Sequence, residues 1–125
     1  MLNNTEPNVT RPESIVLANI IANTILDKKG IEVIAISVAH VTTIADYFVV
    51  ASASNTTHVR AIAESIDQVL SNQYSIEPLR REGMQESRWI ALDYSTVIVH
   101  IFLSESRQYY QLEKLWIGDN NVTKY

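Results

Sequence analysis

The chain has 125 residues, of which 46% are hydrophobic and 19% are charged, as in an ordinary globular protein, and one domain is the expected organisation. It contains no cysteine, which excludes disulfides, thiolate metal sites and cysteine nucleophiles and suits a reducing cytoplasm. The formal net charge is −4 and no basic cluster offsets it. Direct readout of nucleic acid, which depends on neutralising phosphates, is therefore not expected.

The first half of the chain predicts one helix and two strands. Residues 1–11 are polar and lack the apolar run of a secretory signal, so a disordered leader is expected. A helix is predicted from Pro12, where the missing N–H of proline costs nothing, to a stop at Gly30. Strands are predicted for Ile31–Ser37 and Asp46–Ser52. The second strand is apolar on both faces, which indicates a central position that is covered on both sides.

A second helix and an edge strand are predicted next. Either Ser54 or Asn55 can cap the helix, whose apolar residues fall at the spacing of one buried stripe. These residues are Val59, Ile62, Ala63, Ile66, Val69 and Leu70. A short strand is predicted near Ile76–Arg81, and Pro78 favours the edge of a sheet for it.

The last part of the chain predicts a hairpin followed by a helix. Strands at Trp89–Asp93 and Thr96–Leu103 are joined by a tight turn. Ser104 is predicted to cap a final helix that runs to about Trp116. The polar tail 117–125 is predicted to be flexible.

The order of these elements, α-β-β-α-β-β-β-α, is typical of an α/β protein. We expect a single domain over residues 12–116, in which helices pack against one mixed five-stranded sheet, between the leader 1–11 and the tail 117–125. The longest apolar runs are far too short to span a bilayer, so no contact with a membrane is expected.

Several kinds of catalytic site are excluded because the chain contains only three glycines. The glycines lie far apart, at Gly30, Gly83 and Gly118, and cannot form a P-loop, a GxGxxG fingerprint or a GxSxG elbow. The histidines have no metal-binding spacing, and no Asp-x-Asp pair is present to hold Mg²⁺. No cofactor and no metal are therefore expected.

Asp46 and Asp93, each at the end of a predicted strand, are the best remaining carboxylates. Either could act as a general base with His100, which would leave a residual nucleotide-binding enzyme as one hypothesis. The interpretation that we favour is that each carboxylate caps a turn or pairs with a nearby arginine such as Arg88. His100 would then be a hydrogen-bonded, partly buried side chain, and the chain would be a binding protein without catalytic activity.

Six of the ten aromatic residues lie between Trp89 and Trp116. On the predicted helix, Tyr109, Leu112 and Trp116 share one side. Tyr110, about 100° away, cannot fully share it, so it is left at least partly accessible if Tyr109 enters the core. Exposed aromatic residues beside charged ones are typical of protein interfaces. A protein-recognition surface is one interpretation of this region, and packing in the core is the other.

Six segments, taken together in their order and spacing, resemble one known family. They are Asp46–Ser52 (DYFVVAS), His58–Ala63 (HVRAIA), Glu82-Gly83, Trp89–Tyr94 (WIALDY), Val97–Phe102 (VIVHIF) and Arg107–Trp116 (RQYYQLEKLW). On these segments the chain is similar to the ribosomal silencing factor S family, also called the Iojap family, over roughly Ile15 to Trp116.

The resemblance implies a fold and a function. The fold would be an α/β domain with a nucleotidyltransferase-like topology but without nucleotidyltransferase chemistry. Members of the family bind the large ribosomal subunit through its ribosomal protein number fourteen and block joining of the small subunit, which represses translation when nutrients are scarce. The resemblance thus implies a cytoplasmic, non-enzymatic translational repressor, with a large-subunit assembly factor that uses the same contact as the alternative. Members are commonly described as dimers, so a homodimer is also expected.

The resemblance also implies which residues contact the ribosomal protein. By position these are Trp89, Tyr94 and Tyr110, with Leu112, Glu113 and Trp116 close by. One departure lies in the hairpin turn, where Ser95-Thr96 replaces the Gly-Asp that is usual in the family. If the turn requires a left-handed residue, serine would cost roughly 1–2 kcal/mol there, which puts the placement of Tyr94 in question.

Overall fold

The computed structural model describes residues 11–110, 112–118 and 120–125, without the side chains of residues 108–110, 112 and 113. Its elements follow in the order α1 (Ser14–Asp27), β1 (Ile31–Ser37), β2 (Tyr47–Ala53), α2 (Thr56–Tyr74), β3 (Arg80–Glu82), β4 (Trp89–Asp93), β5 (Val97–Leu103), α3 (Ser104–Tyr110), a 3-10 helix (Leu112–Leu115) and β6 (Val122–Lys124). The helices pack against one mixed sheet, which confirms the predicted α/β class.

The strands of the sheet lie in the order β3-β4-β5-β2-β1-β6. β2 and β5 at its centre run parallel, with Val49 opposite Val99, whereas the other neighbouring pairs are antiparallel. A parallel pair needs a long crossover, which α2 and the segment through β4 provide. Six of the seven residues of β2 are buried, so the prediction that this strand is central and covered on both sides is confirmed.

One face of the sheet is covered by α1 and α2 and forms the main core. α2 follows Asn55, whose side-chain oxygen accepts a hydrogen bond from the backbone N–H of His58 at 2.8 Å, as expected of a cap. Its buried residues lie on the predicted stripe and are Val59, Ile62, Ala63, Ile66 and Leu70. Full burial of an aliphatic side chain stabilises a fold by about 1.5–3 kcal/mol. This face therefore holds α2 firmly against the central strands.

The start of α1 differs from the prediction. The helix begins at Ser14 rather than at Pro12, and the residue before it, Glu13, makes no side-chain cap bond. The hydroxyl of Ser14 instead donates to the carboxylate of Asp46, which directly precedes β2. A long-range contact thus takes the place of a local cap and ties the first helix to the start of the central strand.

The end of the last helix also differs. α3 ends at Tyr110 and a 3-10 helix follows over Leu112–Leu115, where one continuous helix to about Trp116 is predicted. The hydroxyl of Ser104 donates to the backbone carbonyl of Ala53 at 3.1 Å. Ser104 therefore fastens α3 to the end of β2.

The prediction of a five-stranded sheet is wrong by one strand. Val122–Lys124, within the tail 117–125 that is predicted to be flexible, forms β6 beside β1. Without β6, strand β1 would present an unpaired edge. Asn121 holds the tail in place, since its Nδ2 donates to the carbonyls of Ser37 at 3.1 Å and Trp116 at 2.8 Å. The bond to Ser37 joins parts of the chain that are far apart in sequence, so no local pattern indicates it.

The hairpin turn between β4 and β5 does contain a residue in the left-handed conformation, at the position where the family usually has glycine. Ser95 has a φ of 76°, a conformation that favours glycine. The backbone N–H of Ser95 donates to Oδ1 of Asp93 at 2.8 Å, and Tyr94 N–H donates to the carbonyl of Val97 at 2.9 Å. The turn therefore closes with serine in a position where glycine would cost less.

Candidate partner-binding surface

On the second face of the sheet, the residues that the structure describes cover part of β4 and β5 incompletely. Ala91 of β4 lies directly opposite His100 of β5. Because side chains alternate along a strand, Trp89 and Ile98 share this face with them, and all four side chains are half-buried. The intervening Ile90 points the other way and is fully buried. We call Trp89, Ala91, Ile98 and His100 the open face.

An aromatic cluster supports the open face. It consists of Phe48, Trp89, His100, Phe102 and Trp116. The ring of Trp89 stacks on that of Phe102 with 5.0 Å between centroids, and Trp116 meets Phe48 edge-on at 5.2 Å. Phe48 and Phe102 are 3% and 0% exposed. The half-buried rings therefore rest on a packed layer that leaves them little room to move.

The indole of Trp89 is hydrogen-bonded to His100. Its Nε1–H donates to Nδ1 of the imidazole at 3.0 Å. An indole is only a donor, so Nδ1 carries no proton and the neutral ring bears its proton on Nε2. Burial lowers the pKa of His100 from 6.5 to about 4, which keeps the ring neutral at pH 7. The expectation that His100 is a hydrogen-bonded, partly buried side chain is confirmed.

Charged side chains border the open face on the side of β3. Arg80 lies opposite Asp93, and their charged groups are 4.0 Å apart. The side chain of Arg80 is 68% exposed, so this ion pair contributes little to stability. Glu82, opposite Ala91, is also exposed. An apolar centre with solvated charges at its border is the usual anatomy of a protein interface.

Tyr94, which the resemblance implies as a contact residue, lies on the other side of the sheet from Trp89. Its side chain is fully buried in the main core. Its hydroxyl has no hydrogen-bond partner among the residues that the structure describes, and burial raises its pKa above the ordinary value. The structure therefore does not bring Tyr94 together with Trp89, and the residue packs in the core in this conformation.

Trp116 is the second implied contact residue that the structure brings to the aromatic cluster. It is half-buried there, and its neighbours Leu115 and Ile117 are 76% and 45% exposed. Sequence analysis missed these two aliphatic residues, although an apolar residue on each side of a tryptophan was a usable signal. The side chains of Tyr110, Leu112 and Glu113 lie outside the described residues. Their place in a partner contact stays a prediction.

Sequence analysis missed one residue beneath the open face, Phe48. The alternation of β5 places His100 and Phe102 on one side, and the parallel register adds Phe48, which lies opposite Ile98. Local alternation indicates the first two. The third depends on the register between strands that are distant in sequence, which no local signal gives.

The polar residues of the catalytic hypothesis all have structural partners. Asp46 accepts a hydrogen bond from Ser14, and Asp93 caps the hairpin turn and pairs with Arg80 rather than Arg88. The favoured interpretation is therefore confirmed for Asp93, whereas Asp46 holds Ser14 at the start of α1, a role that the sequence did not predict. Within residues 11–110, 112–118 and 120–125, no group of three or more acidic or histidine side chains could hold a metal ion. No helix in that same part of the chain has the length and apolarity to cross a membrane.

The sequence matches a known family over almost its full length. The family model described as "Ribosomal silencing factor during starvation" matches residues 11–124. A ribosomal silencing factor RsfS from Halalkalibacterium halodurans is 38% identical over 103 residues, which are 82% of this chain and 86% of that protein. RsfS from Bacillus subtilis is 38% identical over 94 residues, 74% of this chain and 77% of that protein.

A more distant relative carries a different name. The mouse protein named "Mitochondrial assembly of ribosomal large subunit protein 1" is 32% identical over 73 residues, which are 57% of this chain and 32% of that protein. Both names refer to the ribosome, one to its silencing and one to the assembly of its large subunit.

Two crystal structures share the fold. A protein from Chromobacterium violaceum superposes with a TM-score of 0.82 at 26% identity, covering 87% of this chain and 90% of that one. A protein from Bacillus halodurans superposes with a TM-score of 0.74 at 33% identity, covering 90% of this chain and 98% of that one.

Proposed function

Because the chain belongs to the ribosomal silencing factor family, whose members are regulatory and non-enzymatic, we propose that it represses translation by occluding the large ribosomal subunit. It binds ribosomal protein number fourteen of that subunit and sterically blocks joining of the small subunit when nutrients are limiting. The surface that makes this contact is the open face together with Trp116 and its exposed neighbours Leu115 and Ile117. No catalytic step is needed.

The observation that carries the proposal is a half-buried tryptophan held on a rigid support. Trp89 stacks on Phe102 and donates to His100, so its indole is already ordered before a partner arrives. Ordering a side chain costs about 0.5–1.5 kcal/mol on binding, and this cost is avoided when the side chain is fixed beforehand. Tryptophan is also one of the residue types enriched among binding hot spots, which cluster near the centre of an interface.

Occlusion requires only an interface of ordinary size. About 800 Å² per partner is sufficient for a specific complex, which would extend the contact from the open face to the charged border. A net charge of −4 favours approach to a basic ribosomal protein, and this long-range attraction weakens as salt screens it.

Co-sedimentation with separated large subunits tests the contact. We expect Trp89→Ala to bind at least about thirtyfold more weakly, since loss of a central anchor costs about 2 kcal/mol or more. Far-ultraviolet circular dichroism of the variant should match that of the wild type.

Tyr74→Ala is the matched control, because Tyr74 is a 40% exposed aromatic residue on α2, which covers the opposite face of the sheet. This variant should bind normally. Undiminished binding by Trp89→Ala would defeat the assignment of the surface, and unfolding of Trp89→Ala would assign the residue to the core instead.

A subunit-joining assay tests the mechanism. Wild-type protein added to large subunits should lower the yield of joined ribosomes, and Trp89→Ala should not. Normal joining on large subunits that carry bound protein would reject occlusion.

A large-subunit assembly factor that uses the same contact is the second candidate, and the name of the mouse relative favours it. Depletion of the protein distinguishes the two functions. Accumulation of immature large subunits indicates assembly, whereas a normal pool of mature subunits with unrepressed translation under starvation indicates silencing.

The proposal also places the protein in the cytoplasm, where it would meet mature subunits, and includes a homodimer as its free form. Analytical ultracentrifugation with and without large subunits would show whether a dimer forms and whether it dissociates on binding.

A further inference from the structure

We infer that His100 is a positioning residue, whose Nδ1 holds the indole of Trp89 in the orientation that the partner contacts. The inference rests on the proposed function and adds to it a specific role for a residue that makes the anchor competent. His100 acts through Trp89, so its effect on binding should follow the orientation of the indole.

The position of the two residues on neighbouring strands makes the bond possible. Trp89 lies opposite Phe102, and His100 is the next residue of β5 on the same face, so the two are diagonal neighbours. Diagonal partners across an antiparallel pair are about 7–8 Å apart, within reach of aromatic side chains. Ala91, directly opposite His100, contributes only a methyl group and leaves space for the indole to lean towards the imidazole.

Other contacts hold the imidazole itself. Its ring meets the ring of Phe48 edge-on with 5.5 Å between centroids, and it lies 6.3 Å from the ring of Phe102 at an interplanar angle of 21°. Phe48 and Phe102 therefore hold Nδ1 of His100 in place, and this nitrogen in turn holds the indole N–H of Trp89.

Stacking on Phe102 alone does not define the rotation of the indole within its plane. A stacked contact is compatible with several in-plane orientations, whereas a hydrogen bond to Nε1 selects one of them. The bond therefore favours one in-plane orientation of the indole, and with it the edge that faces the solvent. That edge is the part that a partner meets.

Two substitutions of His100 separate the acceptor from the shape of the side chain. Asn places an oxygen at the same distance along the side chain as Nδ1, and Leu has nearly the shape of Asn but cannot accept. We expect His100→Leu to bind large subunits about tenfold more weakly, and His100→Asn to remain within about threefold of the wild type. Both variants should retain the circular dichroism of the wild type.

The indole N–H resonance of Trp89 in the free, ¹⁵N-labelled protein provides a readout that a merely structural role would not move. It should shift in His100→Leu and stay near its wild-type position in His100→Asn, while the N–H resonance of Trp116 serves as the reference. In a Trp89→Phe background, which lacks the donor, His100→Leu should cause no further loss of binding.

The outcomes distinguish this inference from the proposed function. If wild-type protein does not co-sediment with large subunits, both are overturned. If it does, the positioning role is overturned by normal binding of His100→Leu. It is also overturned by equal losses in the Leu and Asn variants, or by an indole resonance that does not respond to His100→Leu.

Discussion

Protonation of His100 would break its bond with Trp89, because an imidazolium ring has no nitrogen left to accept a hydrogen bond. Burial lowers the pKa of the ring from 6.5 to about 4. Between these values the unfolded chain binds a proton that the folded chain excludes. The stability that depends on the neutral ring is therefore complete above pH 6.5 and is lost as the pH falls towards 4.

We expect the free energy of unfolding of the wild type to fall by about 2 kcal/mol more than that of His100→Leu between pH 7 and pH 5. The carboxylates titrate in both proteins, so the difference isolates the imidazole. Urea unfolding at the two pH values measures it. An identical pH dependence in both proteins would contradict a buried, neutral His100.

The side of the sheet on which Tyr94 lies could have been predicted from the sequence. The resemblance implies that Trp89 and Tyr94 contact the same ribosomal protein. Trp89 begins β4 and Tyr94 directly follows its end, so the two residues are five positions apart. Alternation puts residues separated by an odd number on opposite sides. The period-two pattern of β4 was thus sufficient to place Tyr94 with Ile90 and Leu92, in the core where the structure has it.

Among the elements, the β4–β5 hairpin carries backbone strain in its turn. Ser95 adopts a φ of 76°, and a non-glycine residue there costs roughly 1–2 kcal/mol. We expect Ser95→Gly to raise the free energy of unfolding by about 1 kcal/mol, as measured by urea denaturation. Binding to large subunits should not change, because Trp89 lies at the other end of β4.

Ser95→Ala is the control for this prediction. The bond from Ser95 to Asp93 uses the backbone N–H and survives both substitutions, so the two variants differ mainly in conformational freedom. If alanine stabilised the protein as much as glycine does, left-handed strain would not be the cause.

Elements with a clear pattern of apolar residues could be predicted from the sequence, whereas elements fixed by contacts with distant parts of the chain could not. The stripe of α2 and the apolar run of β2 lie where the sequence predicts them, because each buries a face that its own residues define. The break in the helix after Tyr110 and the strand β6 are different. A helical pattern does not distinguish an α-helix from a shorter helix followed by a 3-10 turn, and β6 has few apolar residues of its own.

At the scale of the whole molecule, Asn121 connects the edge of the sheet to the candidate surface. Its Oδ1 accepts from Gly118 N–H at 2.7 Å, and its Nδ2 donates to the carbonyls of Ser37 and Trp116. We expect Asn121→Ala to lower the free energy of unfolding by about 2 kcal/mol, since two part-buried bonds and one exposed bond are lost together. Binding to large subunits should weaken as well, because Trp116 loses its attachment to β1.

Thr123→Ala provides the comparison within the same strand. Thr123 is exposed on β6, so its removal should change the free energy of unfolding by less than about 0.5 kcal/mol and leave binding intact. Equal effects of the two substitutions in urea denaturation would show that Asn121 has no special role.

The parallel pairing at the centre of the sheet has a consequence for how the protein becomes active. Tyr47 of β2 lies opposite Val97 of β5. A contact across so long a loop forms late, because the chain loses the entropy of loop closure before the contact can stabilise it. The β4–β5 hairpin can pair early, but it then lacks Phe48, which meets the ring of His100, and Trp116, which packs on Phe48. A partly folded chain therefore lacks the candidate partner-binding surface. The slowest step of folding sets the time at which the protein can first bind its partner.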